Sequence, residues 1–186
     1  MQLEGRTLDF YALGRELGRG GMGAVYYAES TADGVAGPAG TVVAIKVFHP
    51  HLVRDPRTFE RFRREAEIGQ TISHENVVRT WGAGTCDIDG EPCHYMVMEY
   101  VEGQTLDGVR ADLGTLPDLL LFLVAVQALA GLAAIHECGI VHRDIKPENI
   151  VITSGHKVLL MDLGVALLDA HGNTLTKHGD FVGSLP

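Results

Sequence analysis

The sequence predicts an α+β chain built as two lobes: a first lobe that is mainly antiparallel β with one long helix, and a second that is mainly helical. Two observations carry this. The first hundred residues alternate short β-branched runs with glycine turns around a single amphipathic segment. After Gly103 the character changes, and residues 119–136 form an 18-residue run without Asp, Glu, Lys or Arg.

Taken in order, residues 13–17 and 24–28 read as two strands joined by a glycine-rich connection over 18–23. Residues 30–40 hold glycines, a proline and small side chains, which predicts an exposed loop or a locally disordered insertion. A β-branched run at 41–48 follows. Residues 57–71 place Phe59, Phe62, Ala66 and Ile68 among charges, the pattern of a helix with one buried stripe, and Pro56 marks its start. Two further strands are expected at 77–81 and 94–98.

Beyond these, a short helix is expected at 106–113 and a long apolar one ending near Cys138-Gly139, where glycine supplies the cap. Strands at 150–153 and 157–161 should flank the turn Ser154-Gly155-His156. The expected division is a first lobe over 1–98, a hinge at 99–103, and a second lobe over 104–186. The apolar run falls short of the roughly 20 residues a membrane span wants and contains Gln127, Gly131 and His136, so it reads as a buried core helix and no span is expected.

Composition narrows the function. With 15 Lys plus Arg against 24 Asp plus Glu, the net charge of −9 offers no footprint for nucleic acid. Cys86, Cys93 and Cys138 form no C-x-x-C pair, which argues against a disulfide framework or zinc knuckle and fits a reducing, cytoplasmic setting. The N-terminus lacks the basic start and apolar stretch of a signal peptide. His49-Pro50-His51 has no Cys or carboxylate at zinc-like spacing, so surface histidines are the simpler reading.

Four motifs occur in one order, and together they make sense for a chain that handles a nucleoside triphosphate. Gly18-Arg19-Gly20-Gly21-Met22-Gly23-Ala24-Val25 matches G-x-G-x-x-G-x-V; without Cβ atoms, Gly18, Gly20, Gly21 and Gly23 let a hairpin close over phosphates and offer N–H donors. Dinucleotide-binding folds share the spacing, but there a helix follows, whereas here Ala24-Val25-Tyr26-Tyr27 is a strand. Val43-Ala44-Ile45-Lys46 ends a hydrophobic strand on a lysine. That lysine either snorkels from a strand edge or reaches the α- and β-phosphates, held by a carboxylate of the following helix, with Glu65 and Glu67 both in range.

The third motif, His142-Arg143-Asp144-Ile145-Lys146-Pro147-Glu148-Asn149, matches H-R-D-x-x-x-x-N over eight residues; the fourth, Asp162-Leu163-Gly164, stands where D-F-G is usual. On these residues the chain resembles the eukaryotic-like protein kinases of bacterial type, and Lys146-Pro147-Glu148 is the serine/threonine form of the loop. The resemblance implies a bilobal kinase fold, ATP and Mg²⁺ as cofactors, and a protein substrate bearing Ser or Thr. It implies Asp144 as the group that accepts the hydroxyl proton, Lys146 on the γ-phosphate, and Asn149 and Asp162 as metal ligands. It selects Glu65 as the partner of Lys46.

It further implies Val25 and Ala44 above the adenine and Val151 below it, backbone contacts from Glu99 and Val101, and Met98 as gatekeeper, although a strand-end methionine also serves as plain packing. His142 would pack beside Leu163. Thr174 and Thr176 would be phosphosites answered by Arg143, or simply solvated threonines, and Ser184 a substrate-docking residue. The match runs from about Tyr11 to Pro186 without an A-P-E sequence, so the expectation is a truncated domain, weak or inactive alone, with part of the apolar helix exposed to a partner. A nucleotide-binding module without turnover is the alternative.

Overall fold

The computed structural model describes residues 2–50, 56–162 and 167–168; for 56–59, 61, 62, 65, 167 and 168 it describes the backbone alone. Its contacts divide the chain into two compact units, one of Met1–Gln70 with Arg79–Tyr100, the other of Thr71–Val78 with Val101–Pro186.

The first unit is a six-stranded antiparallel sheet of β1 (Thr7–Leu8), β2 (Tyr11–Gly20), β3 (Gly23–Ser30), β4 (Val42–Phe48), β5 (Thr80–Ile88) and β6 (Glu91–Glu99), ordered β1-β2-β3-β4-β6-β5, with helix α1 (Pro56–Thr71). Because side chains alternate across a strand, register decides which residues share a face. Ala24, Tyr26, Ala28, Val43, Ile45, Val47, Cys93, Tyr95 and Val97 point to one side, and there, with Leu3, Leu8, Tyr11 and Leu13, they form the core. At about 25 cal/mol per Å² of apolar surface removed from water, that one-sided burial is the main stabilising term of the unit.

Two expectations are corrected here. The glycine-rich connection is not a six-residue loop: β2 runs on through Gly18 and Gly20, Gly20 pairs with Gly23, and only Gly21-Met22 form the turn. The strand expected at 77–81 lies at Thr80–Ile88 instead; Val77 makes only an isolated parallel bridge to Leu160. Gly82 and Gly84 hide this strand from a pattern search. Gly84 is required, because a Cβ there would sit 2.3 Å from the Tyr95 ring.

The segment 30–40 is built from local turns rather than left loose. The Ala39 N–H donates to Asp33 Oδ1 (3.0 Å), the Thr41 hydroxyl to the Pro38 carbonyl (2.6 Å), and Gly34 and Gly37 bridge each other.

The second unit contains β7 (Gly103–Thr105), helices α2 (Leu106–Leu113) and α3 (Asp118–Glu137), β8 (Ile140–Val141), a 3-10 turn (Pro147–Asn149), β9 (Ile150–Thr153), β10 (Val158–Leu160) and β11 (Leu167–Leu168). Thr105 caps α2 by accepting the Gly108 N–H (3.1 Å), and Gly139, at φ +73°, ends α3 as its sequence suggests. β7, β9 and β10 form one small sheet, and β8 pairs with β11.

Residues 71–78, which a continuous first lobe would include, keep company with this unit through Asn76. Its side-chain amide donates to the Val158 carbonyl (2.7 Å) and to Gln127 Oε1 (3.0 Å). Gln127 in turn accepts the Val158 N–H (2.9 Å) and donates to the His156 carbonyl (3.0 Å). The one amide that interrupts the apolar helix thus ties α3 to β10.

By length and composition α3 could cross a membrane, with a mean hydropathy of 2.2, but Gln127 and the close approach of Gly131 to the Asn76 carbonyl dock it in the unit. A Cβ at Gly131 would lie 2.7 Å from that oxygen. Val124, Ala128 and Ile135 are buried, while Leu119, Phe122, Val126 and Leu129 present an open apolar face.

Candidate active site

In the first unit, the residues that the motifs singled out share the sheet face opposite the core. Val25 pairs with Lys46 and Tyr27 with Ala44 across β3 and β4; Lys46 pairs with Met96 and Ala44 with Met98 across β4 and β6. Val25, Ala44, Lys46 and Met98 therefore stand on one surface, together with Tyr27 and Met96. Motif matching missed the last two, although the two-residue alternation already contains them. One sheet thus carries its main core cluster on one face and the motif residues, with buried Met96 and Met98 among them, on the other.

The glycines differ in what they require. At Gly23 a Cβ would lie 2.0 Å from the Val47 carbonyl oxygen, so β3 and β4 can approach there only without a side chain. At Gly18, Gly20 and Gly21 a Cβ would meet no atom within 4 Å, and none of the three needs a left-handed backbone. Among the described residues nothing forces these positions to be glycine. Space kept open beside a backbone rich in N–H donors fits the close approach of a phosphate chain.

Lys46 is 4% exposed on a central strand, with its Nζ 5.4 Å from the Phe48 ring centroid. The edge-snorkelling alternative requires a solvated ammonium and does not suit that burial. Helix α1 packs toward the same face: a Cβ at Gly69 would lie 2.5 Å from Thr80 Oγ1, and Thr80 pairs with Met98. Of the two glutamates, Glu67 is solvent-exposed and 3.6 Å from Arg63, so it is turned to water. Glu65 falls one turn before Gly69 on α1, and its side chain lies outside the described residues.

At the end of β6, the Glu99 N–H donates to the Arg79 carbonyl (2.8 Å), and its carboxylate accepts the Arg79 N–H (3.3 Å). These contacts use the Glu99 N–H within the unit. Arg79 is held in place by stacking on Trp81, 4.2 Å from the ring centroid. Val101 opens the second unit, where buried Val151 sits on β9 between Thr105 and Leu159.

The second unit holds Asp144, Lys146 and Asn149 together. Asp144 Oδ2 accepts from Asn149 Nδ2 (2.8 Å) and lies 2.9 Å from Lys146 Nζ, while the same Asn149 nitrogen also donates to the Asp144 carbonyl (2.9 Å). Two contacts on one oxygen fix the plane of the Asp144 carboxylate. They also spend the Asn149 amide nitrogen, so the group Asn149 presents to a cation is oxygen.

Below the loop, His142 is almost fully buried and uses both ring nitrogens: Nδ1 accepts the Asp144 N–H (3.4 Å) and Nε2 faces the Met161 carbonyl (3.2 Å). That pairing calls for the neutral ring protonated at Nε2. Burial accordingly holds the His142 pKa below its ordinary value, although the Met161 carbonyl and the carboxylates of Asp144 and Asp162 pull the other way.

Arg143 and Asp162 both adopt left-handed backbone, at φ +64° and +61°. Such conformations cost of order 1–3 kcal/mol in non-glycine residues and concentrate at functional sites. No sequence signal reveals them. Leu163, Gly164, Thr174, Thr176 and Ser184 lie outside the described residues, as does His51.

For magnesium, the donors present are the Asn149 amide oxygen and the Asp162 carboxylate, both hard oxygen ligands. Among the described residues no group of three or more His, Cys, Asp or Glu could hold an ion alone. That combination suits Mg²⁺, which is commonly held by one or two protein oxygens with substrate phosphates completing its shell, and it does not suit a zinc cage.

A six-stranded sheet with a buried lysine facing away from its core, followed by a unit that organises an Asp-Lys-Asn cluster, defines a class of catalytic domain that works on phosphates. Comparison of the chain with known proteins sharpens this. Residues 11–185 match the protein kinase domain, and the chain belongs to that family, whose members use ATP. It is 38% identical over 176 residues to a probable serine/threonine-protein kinase of Streptomyces coelicolor, covering 94% of this chain and 25% of that protein. It is 35% identical over 176 residues to the serine/threonine-protein kinase PknB of Mycobacterium leprae, covering 95% and 27%. With PknB of Mycobacterium tuberculosis it shares 36% over 177 residues, again 95% and 27%. The chain spans about a quarter of the length of these relatives.

Proposed function

We propose that this chain carries the ATP-binding and phosphoryl-transfer machinery of a protein serine/threonine kinase, moving the γ-phosphoryl group of ATP to a Ser or Thr hydroxyl on a protein. The observation that carries the reading is the Asp144 carboxylate, oriented by Lys146 at 2.9 Å and Asn149 at 2.8 Å. A carboxylate so placed accepts the proton of the attacking hydroxyl while Lys146 meets the charge of the transferring group, and positioning with charge stabilisation supplies most of the rate in this chemistry.

In this reading Gly18, Gly20, Gly21 and Gly23 cover the phosphates, and Lys46, steadied by Glu65, binds the α- and β-phosphates. Val25, Ala44, Met98 and Val151 would contact adenine, with backbone groups of Glu99 and Val101 reading its edge. Asn149 and Asp162 would hold Mg²⁺, which supplies charge neutralisation on the phosphates. The reading extends to Thr174 and Thr176 as phosphosites, to Ser184 as a docking hydroxyl, and to the cytoplasm, where ATP is available.

The test is transfer of labelled γ-phosphate to a protein acceptor by the intact protein, with nucleotide binding measured alongside. Asp144→Asn should bind nucleotide as the parent does and lose about 10²–10⁴-fold in transfer rate, the usual worth of a general base. Transfer undiminished in that variant would refute the assignment. Binding without transfer in the parent would leave a nucleotide-binding module.

A further inference from the structure

Cys86 on β5 and Cys93 on β6 stand directly opposite each other on the core face of the sheet, and both are free thiols. Their pair type follows from the hairpin. Asp89 and Gly90, at φ +56° and +86°, form a two-residue turn closed by Ile88 and Glu91, and positive φ at both positions marks the tight hairpin turn whose flanking pair is hydrogen-bonded. Pair types alternate outward. Asp87 and Pro92 are then non-bonded, as suits a proline without an N–H, and Cys86 and Cys93 are a hydrogen-bonded pair.

Cα atoms in such a pair lie about 5.5 Å apart, inside the roughly 4.4–6.8 Å that a disulfide bridges. The sulfurs are close enough for each to alter the other's ionisation. Two small apolar residues filling a core edge would also explain a buried Cys93. Packing alone does not require sulfur on both strands at one register position, with one of the pair half-buried on the edge strand of the sheet.

We propose that Cys86 and Cys93 are a reversible disulfide-forming pair, oxidised by a peroxide and reopened by a small thiol. In the first step Cys86 thiolate attacks a peroxide oxygen, the O–O bond breaks, and a sulfenic acid forms as water leaves. In the second, Cys93 sulfur displaces the hydroxyl of that sulfenic acid as a second water, giving the S–S bond; each thiol gives up its proton and the peroxide takes the two electrons. The bond pinches the two strands together, which favours its reduction by thiol exchange. Burial holds both thiols up; the neighbouring Cys86 and then Asp9 take Cys93 to about 12, while Asp9 and Asp87 add to the effect at Cys86, so the pair reacts slowly at neutral pH and faster as pH rises.

The experiment uses the full chain carrying Cys138→Ser, which removes the exposed third thiol. After hydrogen peroxide treatment, intact mass and thiol labelling should show both thiols lost, a mass lower by two hydrogen atoms, a cross-linked peptide pair containing residues 86 and 93, and full reversal by dithiothreitol. Adding Cys86→Ser should leave Cys93 as an unmodified thiol, with circular dichroism reporting the fold. Oxygen added at Cys86 while Cys93 stays free, or two intact thiols after prolonged oxidation at alkaline pH in the folded protein, would overturn the proposal. The readout is mass, so it stands apart from any test of kinase activity.

Discussion

Two glycines of the same hairpin should respond in opposite ways to alanine. At Gly23 the added Cβ starts 2.0 Å from the Val47 carbonyl oxygen and 2.9 Å from its carbonyl carbon, so the β3–β4 pair must open until the first distance exceeds 3.0 Å. The obstacle is backbone on a central strand, which cannot swing aside as a flexible side chain would. Overpacking of this kind costs about 1–3 kcal/mol, and a backbone clash belongs at the upper end. For a chain of 186 residues each kcal/mol moves the melting midpoint by roughly 2–4 °C, so Gly23→Ala should lower it by roughly 6–12 °C.

Gly20→Ala meets nothing within 4 Å and should leave the midpoint within a few degrees of the parent. What it should change is nucleotide affinity, because the methyl enters the space beside the hairpin backbone. Differential scanning calorimetry and nucleotide titration on both variants separate the effects. Equal stabilities for the two, or a stable Gly23→Ala protein, would show that the strand approach is not the constraint described.

Other expected outcomes follow from single contacts. Gln127→Leu removes the amide that joins α3 to β10 and leaves the Val158 N–H and one Asn76 donor without a partner; about 2–3 kcal/mol should be lost in urea denaturation, at the upper end for an unsatisfied buried group. His142 has a folded pKa below its unfolded value, so the unfolded state takes up more protons as pH falls; stability should be fully present above about pH 6.5 and decline below it. His94, also held low by burial, adds to that slope, and His142→Asn should flatten it in pH-resolved thermal melts. Glu65→Ala should weaken phosphoryl transfer strongly and Glu67→Ala scarcely at all, since Glu67 is on the solvent side with Arg63; equal losses would overturn the choice between them.

Much of the site was legible because its chemistry is local in sequence. Asp144, Lys146 and Asn149 come together within one loop, and a motif fixes their spacing before any folding is known. Ala44 and Lys46, two residues apart on β4, likewise share a face by the alternation of a strand. What could not be read depends on contacts between distant segments. The reach of β2 through its glycines is set by pairing with β3, the start of β5 by pairing with β6, and the association of residues 71–78 with the second unit by Asn76 meeting Val158 and Gln127. That Glu67 faces water beside Arg63 is likewise absent from the motif. The neutral tautomer of His142 and the left-handed backbone at Arg143 and Asp162 are properties of the assembled loop and leave no trace in composition.

The two-sided sheet of the first unit has a bearing on how such a protein changes over generations. Tyr26, Ile45 and Val97 are packed tightly on one side, and Met96 and Met98 are just as buried on the other, whereas Val25 and Tyr27 are only half-buried. Substitutions that the fold tolerates therefore concentrate at Val25 and Tyr27, and an engineer can vary those two while holding both methionines with the core.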